Sequence, residues 1–254
     1  MQTSQQWIGY FRQNLQHKRI DWSIRPQLTE TERKNILRSV QAWQLGETSD
    51  GAHLLAAAKK YAAHIGDDFY CEAVQLFIKE EQKHGNNLGL YLDLIGEKRI
   101  AHDWGDSLFR KIRYFNTSME LWTIAVITVE SAAQVFYQSL KDAVKCTLLK
   151  QVCTDILIDE AYHIDFQMQR LAIIFSGKTV LQKILSFQFY RLFYFSTILV
   201  VWMAHRKLFK AGNNNLAKYL RKMNMKFEKT IQRLYMGETY TGEAAEIITI
   251  NHPV

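Results

Sequence analysis

Apolar residues recur every three or four positions along most of the chain, and the breaks in that rhythm divide it into helices. A short amphipathic helix is expected over about 4–18, with Trp7, Phe11 and Leu15 on one side. After Pro26, Thr29 and Glu32 form a capping-box pattern that opens a first long helix. Its stripe runs Ile36, Val40, Trp43, Leu54, Ala58, Tyr61 and Ile65, and Gly66-Asp67-Asp68 ends it and caps the next helix. The second stripe is Tyr70, Val74, Phe77, Glu81, His84, Leu88, Tyr91 and Ile95, closed by Gly96. Residues 97–116 make a connection of about twenty residues, with a short helix near 107–114. Thr117 and Glu120 form a second capping box, opening a helix with Trp122, Val126, Glu130, Ala133, Tyr137 and Leu140 on one face. A fourth long helix turns Leu149, Val152, Ile156, Glu160, His163, Gln167 and Leu171 inward and ends near Phe175, with Gly177 as its C-cap. Helices over about 179–211 and 214–235 follow, and the last eighteen residues show no helical period.

Two prolines and twelve glycines leave most of this chain free to be helical. No linker composition divides it, so the expectation is one all-α domain over 1–254. Within it, 1–29 is an N-terminal helix and lead-in, 30–177 a four-helix bundle, 178–236 a pair of outer helices, and 237–254 a tail. The connection before Thr117 is too long for a helical hairpin and fits a bundle with one long crossover.

Acids and histidines interrupt the apolar stripes in a repeated pattern. Glu-x-x-His occurs at Glu81/His84 and again, 79 residues on, at Glu160/His163. Glu47 and Glu130 lie 34 and 30 residues before those glutamates, one helix upstream of each. In a helix, positions i and i+3 share a face, so each pair aims a carboxylate and an imidazole at one point. A lone Glu-x-x-His is ordinarily a solvated surface pair. Here both pairs fall on apolar stripes, where unpaired carboxylates would cost several kcal/mol each. Divalent metals cancel that charge, and mixed oxygen and imidazole donors suit iron or manganese better than structural zinc. Asp50-x-x-His53 is a decoy beside Glu47, which is preferred because it lies on the line of Trp43 and Leu54.

With Glu47, KEEQKH (79–84), Glu130 and DEAYH (159–163), residues 30–177 resemble the ferritin-like di-iron carboxylate superfamily, in its oxidase and oxygenase branch. The resemblance implies Glu47, Glu81, His84, Glu130, Glu160 and His163 as metal-ligating and catalytic residues around two Fe ions, or a manganese or mixed Mn/Fe pair, with O2 as co-substrate. By analogy with such sites, Asp159 is expected to orient His84 and Glu80 to orient His163. The bland alternative leaves Glu80 exposed in its charged run. Tyr137, Tyr162, Tyr91 and Trp122 are redox candidates, or ordinary core aromatics.

Charge and cysteines add little about chemistry and more about partners. The net charge of +7 is concentrated in 178–236, where twelve Lys and Arg face the single acid Glu228. Cys71, Cys146 and Cys153 have no C-x-x-C spacing, which suits a reduced, cytoplasmic protein and excludes a rubredoxin-type module. The N-terminal residues lack the uninterrupted apolar run and small-residue cleavage site of a signal peptide. The stretch 184–204 is long enough to span a bilayer but carries Arg191 near its middle, so a helix packed on the bundle is preferred and peripheral membrane contact is the lesser reading. The expected function is a dinuclear-metal oxidase or oxygenase acting on a small apolar substrate. It would draw electrons from an external donor such as a ferredoxin docked on the basic helices, with a homodimer through the outer helices as a further expectation. Iron storage or peroxide removal is the alternative, and nucleic-acid modification or non-enzymatic binding through the basic face is the weakest.

Overall fold

A computed structural model describes residues 2–114 and 118–236. Nine α-helices and no strand occur among them: α1 (Ser4–Asn14), α2 (Glu30–Glu47), α3 (Ala52–Ile65), α4 (Tyr70–Leu94), α5 (Trp104–Tyr114), α6 (Met119–Ala143), α7 (Thr147–Ser176), α8 (Val180–Ala211) and α9 (Leu216–Met236). The first long helix expected from the sequence is two helices. Asp50 and Gly51 explain the break between them. Gly51 adopts φ 64°, a left-handed conformation that glycine takes without the steric cost of a Cβ, and the Asp50 carboxylate accepts a hydrogen bond from the Ala52 amide. A Cβ at Gly51 would fall 2.6 Å from the Ile78 side chain, so α4 packs where that Cβ would stand.

The four corners of the bundle are α2/α3, α4, α7 and α6, each packed on the next. α4 and α6 therefore stand at opposite corners, and the α5-containing connection crosses between them. This is the ferritin-like crossover the long loop implies. α1 lies on α4, α8 packs against α6 and α2, and α9 packs on α7, α8 and α6. One apolar cluster fills one end around Leu88, Tyr137, Leu149 and Ile156; a second fills the other around Phe11, Tyr70, Phe77 and Trp122. The interrupting acids and histidines lie between the two.

Several helix ends differ from the sequence reading. Thr29 and Glu32 do form their capping box, and Thr179 with Gln182 forms another. Thr117 lies outside the described residues, and the N-cap of α6 is Ser118. The Glu120 carboxylate is engaged elsewhere: it accepts from Tyr190 Oη at 2.6 Å and pairs with Lys178 Nζ at 2.8 Å, tying α6 to the start of α8. Asp67 does not cap α4, whose N-cap is Phe69; its carboxylate accepts from Ser4 Oγ and Arg170 instead. Ile65, placed on the inward stripe by its spacing, is 39% exposed as the last residue of α3, whereas Leu54 and Ala58 of the same stripe are buried. The tail at 237–254 lies outside the described residues.

Candidate metal centre

All six acids and histidines of the repeated motif face the middle of the bundle. Glu47, His84, Glu130, Glu160 and His163 are buried, and Glu81 is half-buried. Their ligand atoms form two groups, Glu81, Glu130, Glu160 and His163, and Glu47, His84 and Glu160, each gathered within 4.8 Å. Glu160 belongs to both. The grouping cuts across the sequence halves, because Glu81 joins the second-half residues.

The atoms turned toward this space are the ones left without hydrogen bonds. Glu81 Oε1, both Glu160 carboxylate oxygens, His84 Nδ1 and His163 Nδ1 are buried and unpartnered. Buried polar atoms are almost always paired, so five such atoms in one place call for a shared partner. His163 Nδ1 does lie 2.7 Å from Glu81 Oε1, but without the direction a hydrogen bond needs. Without metal the groups lie close enough to share protons, Glu47 with Glu81 and Glu130 with Glu160, yet their oxygens and ring nitrogens converge on one space. Donors of this kind fit a pair of divalent iron or manganese ions.

The opposite edge of each imidazole is held by an acid. His84 Nε2 lies 3.0 Å from Asp159 Oδ2, and His163 Nε2 lies 2.9 Å from Glu80 Oε2. Glu80 is fully buried, so the exposed reading of its charged run does not apply. The Asn14 side-chain amide bridges these two acids, donating to Glu80 Oε1 at 2.7 Å and Asp159 Oδ1 at 2.8 Å. Arg19 in turn donates to Asn14 Oδ1 and to Asp155 and Asp159, and Lys83 Nζ donates to Asp159 Oδ2 at 2.6 Å. Asn14, Arg19 and Lys83 were not singled out from the sequence. Asn14 carried the signal that marked Glu47, a polar residue on an apolar stripe, here one turn beyond Phe11.

Crowding governs the protonation of the cluster. Burial first, and then the charges of Glu81 and neighbouring acids, push Glu47 and Glu160 well above the usual carboxylate range and Glu130 to about 7. Burial acts the same way on Glu81, but the adjoining His163 outweighs it and brings that carboxyl to about 2. Burial opposes the charging of His163; Glu81, Glu160 and Glu80 overcome it and raise its pKa. Without metal, this cavity holds protons.

A cavity of about 310 Å³ runs up to the cluster. Glu47, Glu81 and Glu130 form its floor, and Trp43, Phe77, Trp122, Val126 and Val201 form much of its wall. The α2–α3 break borders it through Ser49, Asp50 and Gly51, with Gly46 and His53 on either side, and so does α5 through Asp106 and Arg110. Trp122 is thus a cavity wall. Tyr137 donates to Glu47 Oε1 at 2.8 Å. Tyr162 stacks on Tyr10 at 4.3 Å, and Tyr91 donates to Cys146 Sγ away from the cluster. His205, on the far wall, is held neutral by burial, which lowers its pKa to about 4.

No protein-family model matches the sequence, and no curated protein does. Solved structures do. An R2-like ligand-binding oxidase variant with an aerobically reconstituted Mn/Fe cofactor superposes with a TM-score of 0.64 at 16% identity, covering 92% of each chain. A variant with an aerobically reconstituted Fe/Fe cofactor gives 0.62 at 16% identity, covering 92% of this chain and 91% of the other. The chain has the ferritin-like fold of these oxidases. At such identity the likeness is one of fold, and the chemistry rests on the residues themselves.

Proposed function

We propose that this chain is a dinuclear-metal oxidase that activates O2 and oxidises a small apolar substrate in the cavity beside the cluster. The observation that carries the reading is the pair of ligand groups sharing Glu160, with five buried donor atoms left unpartnered around them. Glu81, Glu130, Glu160 and His163 would hold one ion, and Glu47, His84 and Glu160 the other. The neighbours' cofactors favour an Fe/Fe or Mn/Fe pair. When bound, such a pair supplies redox equivalents and Lewis acidity for the reduction of O2.

The protein's part is to fix donors, move protons and exclude water. Asp159 and Glu80 accept from the Nε2–H of His84 and His163, which fixes each ring and leaves Nδ1 with its lone pair toward the cluster. The carboxylates must ionise and His163 must lose its extra proton for the donors to serve, so loading releases protons. Burial and then the Glu47 charge raise the pKa of Tyr137 well above its ordinary value, so the phenol keeps its proton and holds Glu47 by a hydrogen bond. The apolar wall selects the substrate and keeps bulk water from the cluster. Electrons come from an external donor.

Anaerobic Fe(II) titration of metal-free protein, followed by O2 under rapid-scan absorption, tests the reading. Saturation near two ions per chain, with O2 consumption that an apolar substrate accelerates, is the expected result. Sequential uptake of many ions as mineral would overturn it in favour of storage, and no stoichiometric uptake would overturn it altogether.

A further inference from the structure

α8 is apolar on two opposite sides, and the bundle covers only one. Tyr190, Tyr194, Thr197 and Val201 are buried on the inner side. Leu181, Leu185, Leu192, Leu199 and Met203 are 65, 61, 69, 42 and 60% exposed. At 3.6 residues per turn these five fall within an arc of about 40°, a stripe about 33 Å long. Scattered exposed leucines need no explanation, whereas a continuous stripe marks a surface that something covers. Its surroundings are basic. Arg191, Arg206, Lys207 and Lys210 are exposed, and Glu228 is the only acid between 178 and 236.

We infer that this face of α8 docks on an anionic phospholipid surface. The leucines enter the boundary between headgroups and acyl chains, and the basic side chains meet the phosphates. Interfacial helices carry this combination, and clustered Lys and Arg add electrostatic attraction to acidic lipid. α8 is long and apolar enough to cross a membrane by length and composition, but its inner side is committed to the bundle, so it lies on the surface. A second copy of this chain is a poorer occupant, because it would set one basic face against another. The chain's own tail is poorer too. Its apolar run, Ile247, Ile248 and Ile250, spans about 13 Å fully extended and cannot cover the stripe.

The test is flotation of the full chain with vesicles of phosphatidylcholine alone and of phosphatidylcholine with about half phosphatidylglycerol. Partition onto the anionic vesicles should exceed that onto neutral ones by about tenfold or more and should weaken with added salt. The exposed double variant Leu185→Glu/Leu192→Glu should lose about tenfold or more of it, with helicity and Fe(II) uptake unchanged. Lys207→Glu/Lys210→Glu, which leaves the leucines intact, should lose several-fold. Absence of partition onto anionic vesicles, or partition that neither variant lowers, overturns the inference. So does a wild-type dimer that Leu192→Glu dissociates and that ignores vesicles, which would hand the face to a second copy.

Discussion

α6 and α7 carry Glu130, Glu160 and His163 on unbroken helices of 25 and 30 residues, and none of the three is more than 3% exposed. The α2–α4 side carries the equivalent Glu47 as the last residue of its helix, and 19% of the Glu81 side chain is exposed. The same motif is thus built once into a continuous helix pair and once beside a break. That break, from Thr48 to Gly51, borders the cavity, so the second half anchors the cluster and the first half opens it. Gly85 contributes to the open side. A Cβ there would stand 2.8 Å from Thr48 Cγ2 and 3.1 Å from the Glu47 backbone, so the missing side chain lets the end of α2 lie against α4 beside His84.

Replacing one glutamate from each half sharpens the contrast most. Glu160 serves both ligand groups and Glu47 only one. Glu160→Ala should abolish stoichiometric binding, whereas Glu47→Ala should retain about one ion per chain at the site of Glu81, Glu130, Glu160 and His163. Metal analysis after anaerobic loading and desalting reads both. Equal loss in the two variants would show that the ions bind as one cooperative unit and that the halves are not separable.

Acidity gives the next largest effect. A carboxyl with a raised folded-state pKa contributes stability that is fully present below its unfolded value and is lost as pH rises through the folded one. Glu130, at about 7, and the raised Glu47 and Glu160 act in this way, and the raised His163 acts in the same direction. Glu81 and Asp159 are lowered, so their contribution is lost as pH falls from the ordinary carboxylate range downward, below the interval over which the raised groups act. Metal-free protein should therefore melt at lower temperature at pH 8 than at pH 5.5. For Glu130 alone, the interval from pH 5.5 to its folded value near 7 gives a difference on the order of 2 kcal/mol, at about 2–4 °C per kcal/mol. Metal-loaded protein should show a much flatter dependence. A metal-free melting temperature that rises over this range would contradict the crowded-carboxylate account.

The second half was easier to read from the sequence than the first. Its stripe runs without interruption from Leu149 to Leu171, so period alone oriented Glu160 and His163 inward. On the first half, the apolar stripe carried across Asp50-Gly51 and hid a turn whose residues state it plainly, because period was given more weight than turn chemistry. Lys83 was legible only as one charge in a solvated run; its partner Asp159 is 76 residues away and no local pattern connects them. The crossover was legible from loop length. The cavity was not, since Trp43, Trp122 and Val201 meet only through packing of three separate helices.

Asn14 donates to both of the acids behind the histidines, Glu80, which holds His163, and Asp159, which holds His84. Asn14→Leu should weaken Fe(II) binding by about tenfold, the lower end of what losing a partner of a ligating histidine costs. Asn14→Asp should be no better, because it sets a third acid against two. If the effect ran through general unfolding, the melting temperature of the metal-free protein would fall in parallel; here it should change little relative to affinity. Unaltered affinity in Asn14→Leu would mean that Arg19 and Lys83 hold the acids unaided.

The smallest expected effect on metal loading lies at the break itself. Gly51→Ala places a Cβ in the left-handed region and against Ile78, and the strain should cost about 1–3 kcal/mol, or several degrees of melting temperature. Pairing it with Ile78→Ala relieves the contact but not the backbone strain, so the double variant separates the two causes. Because Glu47 is four residues upstream and α7 is untouched, loading at the Glu81, Glu130, Glu160 and His163 group should persist in the single variant. If the break is what opens the cavity, access of small oxidants to reduced, metal-loaded protein should change in Gly51→Ala even where the ion count does not. A rate of O2 uptake equal to that of the unaltered protein would remove the break from the route to the cluster and leave it a purely structural turn.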